Sequence, residues 1–594
     1  MHSTSQAAPH AGRSAFASRI ACGLIFAGLV VFAADSVRYG LNLTDEGMKL
    51  SVPLRYALGD LPFRDEILTA GRSFGVVLWP VFALWPDVTI LELRYLSAAL
   101  QLASALAFFV LLARYAPPPL VALATAATAF LARVGFWTPG YNILGVHLLQ
   151  LAIALWLLGC VLEGRGRSRA AALSGGVAFA LGATAYNAFV LTLVVPAAVL
   201  LIHGFRGNPQ VVRATAGFLA VAVTLLVAAI AATSLAGLAD DWRASVALLS
   251  GAPVYSKSIL ERLSACMASF VRWGPQILSV AATLAAAALV LRRLPPERAF
   301  GPSWAMAVVV GLVLLLVTGM TVPGIRTAYQ ISFYVMAAAL GMMLLVAGDS
   351  LWQAFRDRRE PQSEREWPLV LWSGTSMLLI ACCLHALTSG NGFFNFRHAI
   401  GPVFTLAIVG LHRGLFAPRG AGVSRPAFGL GPVAPTLVVV CTFFAAVHLP
   451  ERAAMIYGDR ARSHLTTSFS HPLLEGIRTT PERVRHIESL LAFLEPRLSH
   501  GETLLEYGGA PILYYLTRTR PAAPIVWMSP RTDEAIRRHA LGYMLEEDRI
   551  PQYVVRTGMD KRVRFVPGDP INDFIERNYA KIRKIASFEI WQRR

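Results

Sequence analysis

Asp45 and Glu46 stand side by side in Leu43-Thr44-Asp45-Glu46-Gly47, directly after the first membrane-length apolar run of the chain. Carboxylates at the edge of a bilayer are costly to desolvate, so their presence there points to function. One carboxylate of such a pair can take the proton of an incoming hydroxyl, a contribution of about 10²–10⁴-fold to a rate. Asp45 is expected to be that base, with Glu46 orienting the acceptor or holding a divalent ion. Two carboxylates alone do not make a magnesium or calcium cage. No metal ligand set is therefore expected, no cofactor is required, and a divalent cation (Mg or Ca) is optional.

The elements that must position this pair are membrane helices. The chain has 594 residues, 55% hydrophobic and 15% charged, with a mean hydropathy of +0.52. Soluble domains carry nearer a quarter charged residues, so this balance describes a polytopic membrane protein. The formal charge of +18 comes from arginines that fall mostly in short gaps between apolar segments. That is the pattern of a positive-inside bias, and it excludes nucleic acid as the explanation of the basic pI. The cysteines Cys22, Cys160, Cys266, Cys382, Cys383 and Cys441 include no CxxC pair, so neither a zinc site nor a disulfide framework is indicated.

Residues 1–18 read as a disordered cytoplasmic N-terminus, and Ile20–Ala34 as the first apolar segment. Ala33-Ala34-Asp35 is compatible with signal cleavage. A retained anchor is preferred, because the topology downstream closes with it in place. An outward loop spans 37–90, in which Phe74–Trp85 is apolar for only about twelve residues. That is too short for roughly 30 Å of hydrocarbon, so it reads as re-entrant or interfacial. Further spans are expected at 91–113, 118–136, 143–162, 171–187, 188–204, 214–236, 274–291, 303–321, 328–347, 368–387, 398–413 and 433–449. With the first segment these make about thirteen transmembrane helices. The least secure division is the pair that meets near Asn187. Arg114, Arg165, Arg167, Arg169, Arg206 and Arg213 mark one side, and the opposite connections are arginine-poor. Hence the N-terminus is cytoplasmic and the tail lies outside. Ile259–Val271, in the long outward loop 237–273, suits an interfacial helix.

From Glu451 the character turns soluble. Thr480-Pro481-Glu482 opens a helix. Thr503–Tyr507, Pro524–Trp527 and Gln552–Arg556 read as strands, with Asp533–Glu547 as a helix between two of them. About 145 residues can build a small α/β domain with its own core. The expected division is thus 1–18, a transmembrane domain over 19–450, and a soluble periplasmic α/β domain over 451–594.

Asp45-Glu46-Gly47, Arg55, Gly59-Asp60-Leu61-Pro62-Phe63-Arg64-Asp65 and Arg72, all before the first short apolar segment, resemble the GT-C-type integral membrane glycosyltransferases. That class includes the protein O-mannosyltransferases and the lipid A aminoarabinose transferase. There too an acidic pair ends the first transmembrane helix, and a Gly-x-x-Pro-(Tyr/Phe)-Arg-Asp turn follows. Where many bacterial members continue with His-Pro-Pro or Lys-Pro-Pro, this chain has Ala70-Gly71-Arg72-Ser73. The resemblance implies a bacterial inner-membrane enzyme of mainly α, GT-C-like fold. It would move a sugar from a polyprenyl-phosphate donor to an acceptor hydroxyl on the periplasmic face, in the cell envelope, with inversion.

A phosphate leaves without a general acid, but its charge needs compensation, which a guanidinium fork supplies. Arg64 and Arg72 are outward candidates beside Asp65, as are Arg326 and Arg397, the latter next to His398. For Arg326 and Arg397, snorkelling to the headgroups is the simpler account. The resemblance also implicates Tyr141 and Asn142 of Thr138-Pro139-Gly140-Tyr141-Asn142 in the sugar pocket, against the simpler account of a Pro-Gly turn with an aromatic anchor. His147, His385 and His412 lie within helices with no second ligand at metal spacing, so they read as packing residues. The partners implied are a lipid-linked sugar donor, a glycan, lipid or protein acceptor, and membrane lipids, with no nucleic acid. The rival reading is a polysaccharide or lipid-linked-sugar transporter or flippase, which would place ionisable residues on broken helices near the midplane.

Overall fold

The computed structural model describes residues 8–129, 137–206, 208–251, 258–268, 271, 362–388, 397–416, 458–558 and 565–594. Helix α1 (Ala8–Ser36) carries the first apolar segment. The loop that follows, expected to face outward, is itself largely helical: α2 (Asp45–Ala57), a 3-10 turn at Ile67–Gly71 and α3 (Phe74–Leu84). Helix α3 has 11 residues, the short apolar element that composition predicts.

Helix α4 (Ile90–Leu112) begins with a capping box, in which Thr89 and Glu92 satisfy each other's backbone amides. Next come α5 (Pro118–Ala129), α6 (Tyr141–Val161), α7 (Arg165–Ala185), α8 (Val194–Phe205), α9 (Pro209–Leu235) and α10 (Ala239–Gly251). The expected division near Asn187 is a 3-10 stretch, Asn187–Leu193, between α7 and α8. Residues 259–268 form α11, which exposes Ile259, Leu260, Leu263 and Met267, with Val271 exposed just beyond it, the side chains that an interfacial helix presents to lipid. Helices α12 (Gln362–Thr388) and α13 (Arg397–Phe416) complete the described membrane portion.

Among the described residues, six helices are long and apolar enough to cross a membrane: Phe16–Ser36, Ile90–Leu112, Tyr141–Val161, Asn187–Phe205, Pro209–Leu235 and Glu366–Thr388. The spans expected at 274–291, 303–321, 328–347 and 433–449 lie outside the described residues. A core built around Trp156, Phe179, Phe218, Val403 and Leu406 holds the helices together.

The tail forms a five-stranded sheet in the order β4-β3-β5-β7-β6. Strand β3 (Thr503–Tyr507) runs parallel to β4 (Arg520–Pro521) and β5 (Tyr553–Thr557). Strand β7 (Phe588–Arg593) runs antiparallel to both β5 and β6 (Tyr579–Ile585). A separate two-stranded sheet pairs β1 (Thr467–Ser468) with β2 (Arg478–Thr479). Helices α14 (Pro481–Leu494), α15 (Ile512–Leu516), α16 (Glu534–Glu546) and α17 (Pro570–Asn578) complete the tail. Pro524–Trp527, expected as a strand, is instead irregular; Ile525 and Val526 are buried without joining a ladder, Trp527 is half-buried, and the bridge to Tyr507 is made by Met528. Apolar content marked burial there, which strand and buried loop share.

The sheet alternates sides along each strand. Leu505, Val554 and Trp591 face a core with α16 and α17, whereas Leu504, Val555 and Ile590 face a second core. That second core contains the apolar face of α14 and is continuous with Leu41, Leu50, Phe74 and Phe82 of the loop after α1. The tail therefore shares its core with that loop.

Candidate functional site

The site is assembled around the end of α1 and the start of α2. Arg94, on the first turns of α4, is fully buried and donates to the carbonyls of Val37 (2.7 Å) and Gly40 (2.8 Å). The same guanidinium binds Glu46 twice, at 2.8 Å to Oε1 and 2.7 Å to Oε2. Glu46 also accepts from the Thr138 hydroxyl and from the Asn42 amide at 3.1 Å. Both oxygens of Glu46 are thus occupied in a site with no exposure. Asn42 Oδ1 accepts from the amides of Thr44 (2.9 Å) and Asp45 (2.8 Å), closing a turn that starts α2.

Asp45 is the first residue of α2 and is half-buried, where the helix dipole favours a carboxylate. Lys49 lies one turn further along and is buried. Its stem fills the space beside Gly140, where a Cβ would lie 2.3 Å from Lys49 Cδ, so a close approach requires glycine there. The Lys49 ammonium sits 5.6 Å from the centroid of Tyr141, and the Arg72 guanidinium 4.4 Å from the same ring. Tyr141 stacks on Tyr186 with centroids 5.6 Å apart, and Arg72 also donates to the Thr388 carbonyl at 2.8 Å, at the end of α12. Burial pushes the Lys49 amine down to about 7; Asp45 and Glu46 oppose that shift, and the Arg72 charge adds to it. Two cations thus converge on one aromatic ring with a carboxylate one turn away. That arrangement can bind an anion and accept a proton beside it.

The structure brings Arg72 and Tyr141 together, with Lys49 near the same ring and Asp45 one helical turn before Lys49. It carries Arg64 and Asp65 elsewhere. Arg64 is exposed and pairs with Glu547 of α16 at 3.2 Å. Asp65 is buried, accepts from the Leu61 amide (2.6 Å) and the Tyr543 hydroxyl, and faces Arg549 at 3.5 Å. The turn that contains both residues clamps the loop onto the tail. Asn142 follows Tyr141 on α6 and is half-buried; its Oδ1 is buried with no hydrogen-bond partner among the described residues. Arg326 lies outside the described residues, as do the side chains of Arg397 and His398, which open α13.

Sequence reasoning missed Lys49, Arg94, Thr138 and Tyr186. Two of them carried a signal. Asp45 and Lys49 have the i, i+4 spacing that brings charges together on a helix. Arg94, inside an apolar run, needed an acidic partner. Among the described residues no group of three or more His, Cys, Asp or Glu side chains could hold a metal ion. With Glu46 bound to Arg94, the Asp45–Glu46 pair does not fit a divalent cation, and no step is drawn through one.

No family model matches the sequence, and neither does any curated protein. The chain is similar in structure to ArnT from Cupriavidus metallidurans bound to undecaprenyl phosphate, at 11% identity and a TM-score of 0.41, over 96% of this chain and 97% of that one. It is also similar to the Archaeoglobus fulgidus oligosaccharyltransferase in complex with Zn and sulfate: 13% identity, TM-score 0.43, 91% of this chain and 67% of that one. The same archaeal enzyme, AglB, in complex with an inhibitory peptide and a dolichol-phosphate, gives 13% identity and a TM-score of 0.41 over 91% and 69%.

Proposed function

We propose that this chain is a membrane glycosyltransferase that moves a sugar from a polyprenyl-phosphate donor to an acceptor hydroxyl at the outward membrane face. The observation that carries the reading is the placement of Asp45 one turn from Lys49, whose ammonium shares the Tyr141 ring with Arg72. In the step envisaged, the acceptor oxygen attacks the anomeric carbon while its proton passes to the Asp45 carboxylate. The bond from the anomeric carbon to the phosphate oxygen breaks, and polyprenyl phosphate departs with the bonding electrons. Arg72 and Lys49 compensate its charge. A single displacement of this kind inverts the anomeric centre.

Glu46 serves the reaction by holding the loop on Arg94 rather than by touching the acceptor. Asn142 and Tyr141 border the donor sugar. On this reading 19–450 is the membrane domain, with residues 1–18 cytoplasmic and 451–594 periplasmic, in a bacterial inner membrane. Incubation of membranes with labelled polyprenyl-phosphate sugars tests it. One donor should be consumed, with release of polyprenyl phosphate and a product of inverted linkage. Consumption of none across the common carriers, or retention in the product, contradicts the reading.

A further inference from the structure

The tail does more than stand outside the membrane. Its turn Gly508-Gly509-Ala510-Pro511, after β3, lies directly on the segment that carries Asp45. The Thr44 hydroxyl donates to the Gly509 carbonyl at 2.7 Å, and the Ser51 hydroxyl to the Pro511 carbonyl at 2.7 Å. The Ile512 amide donates to the Leu43 carbonyl at 3.2 Å. The fit is close enough that a Cβ on Gly47 would lie 2.2 Å from the Ile512 nitrogen. On its other side Gly509 donates its own amide to Glu506 Oε1 at 2.9 Å. One residue therefore links a carboxyl inside the tail to the threonine that precedes Asp45.

Glu506 is fully buried, and its Oε2 has no hydrogen-bond partner among the described residues. We propose that Glu506 is a positioning residue: through the Gly508-Gly509 turn it braces, the tail sets the place of Thr44 and hence of Asp45. The docking stands on the contacts alone; its meaning for catalysis rests on the assignment of Asp45 as the base.

A carboxyl in this position makes the docking sensitive to protons. Burial pushes Glu506 up to about 7; the hydrogen bond from the Gly509 amide opposes that shift, as do the neighbouring Thr557 and Ala510 dipoles. From α15 the titratable group facing it is Tyr514, whose hydroxyl receives the Glu506 amide at 2.8 Å. Strand β5 presents Val555, its register partner, and Thr557. The charged residues nearby, Arg55 and Glu66, act on Tyr514 and bind each other at 3.0 Å. Among the described residues no cation offsets a charge on Glu506. A carboxyl exposed to water titrates near 4.5. Against a state in which undocking opens Glu506 to water, the docked state holds its proton more tightly, so docking is strongest below that value, weakens as pH rises toward 7, and changes little above it. The weakening at the alkaline end is at most on the order of 10²-fold.

Hydrogen exchange of the amides of 43–51, in the full-length protein in lipid nanodiscs, reads this directly when corrected for intrinsic rates between pH 5 and 8. Protection in the wild-type protein should fall with pH and stay level in Glu506→Gln. Level protection in the wild type, or the same fall in Glu506→Gln, overturns the inference. Should Glu506→Gln not fold, Thr44→Val tests the same link. It should lose protection at every pH while Thr44→Ser keeps it; equal protection in both overturns the inference. Enzyme that transfers sugar should also lose kcat on the alkaline side in the wild type alone. Protection that behaves as described without any sugar transfer would sink the assigned reaction and leave the docking intact.

Discussion

Lys49 follows Asp45 by one helical turn, buried beside Gly140 with its ammonium 5.6 Å from the centre of the Tyr141 ring. The pair couples the proposed base to the proposed anion site within a single helix. The Asp45 carboxylate favours the charged form of Lys49.

Lys49 should therefore make donor binding depend on pH. With its amine held near 7 in the donor-free protein, the cation disappears as pH rises through that value, and KM for the donor should climb. Lys49→Met should raise KM by about 10–100-fold, the worth of a hydrogen bond to a charged group, and remove the climb. Stability runs the other way. A lysine depressed from 10.5 costs the fold stability as pH falls below 10.5, and the full cost is present below about 7. Thermal unfolding should thus show Lys49→Met gaining more over wild type at pH 6 than at pH 10.

Arg94 and Arg64 should behave oppositely under truncation. Arg94→Met strands Glu46 as a buried carboxylate without its cation, a loss of about 3–5 kcal/mol. Arg64→Ala removes a half-exposed pair with Glu547 and should change stability by less than about 1 kcal/mol. Unfolding midpoints of the two variants, measured side by side in one detergent, check the contrast.

Arg72→Lys should weaken donor binding even though it keeps the charge, because the ammonium cannot stack flat on Tyr141 and fork toward a phosphate together. Tyr141→Phe keeps the ring and should be milder than Tyr141→Ala. Donor KM values for the three variants decide this.

The membrane character, the short helix at 74–84 and the break near Asn187 were legible in the sequence, since hydropathy and length reflect the bilayer directly. Asp45 was legible as a carboxylate just after the first apolar run, but not as the first residue of a helix. What sequence could not show is which cations would meet it. Arg64 and Arg72 lie in one run of polar residues, yet Arg64 reaches the tail and Arg72 reaches Tyr141. That choice is made by contacts across hundreds of residues. The same is true of Glu46, which looked like a second functional carboxylate until its partner Arg94 was in view. The β6–β7 hairpin was missed because β6 is exposed on both faces along most of its length, so no two-residue alternation marks it.

Transfer should survive EDTA, because Glu46, the carboxylate beside Asp45, is held on both oxygens by Arg94. Complete loss on chelation, restored by added cation, would require a metal that the arrangement does not provide for.

The most direct measurement is the single-turnover rate of sugar transfer by Asp45→Asn, compared with wild type at equal yield and equal unfolding midpoint. A fall of about 10²–10⁴-fold is predicted, since the variant keeps the shape of the side chain but not its affinity for a proton. An unchanged rate in a folded Asp45→Asn protein would contradict the assignment of the base, and with it the account of the site.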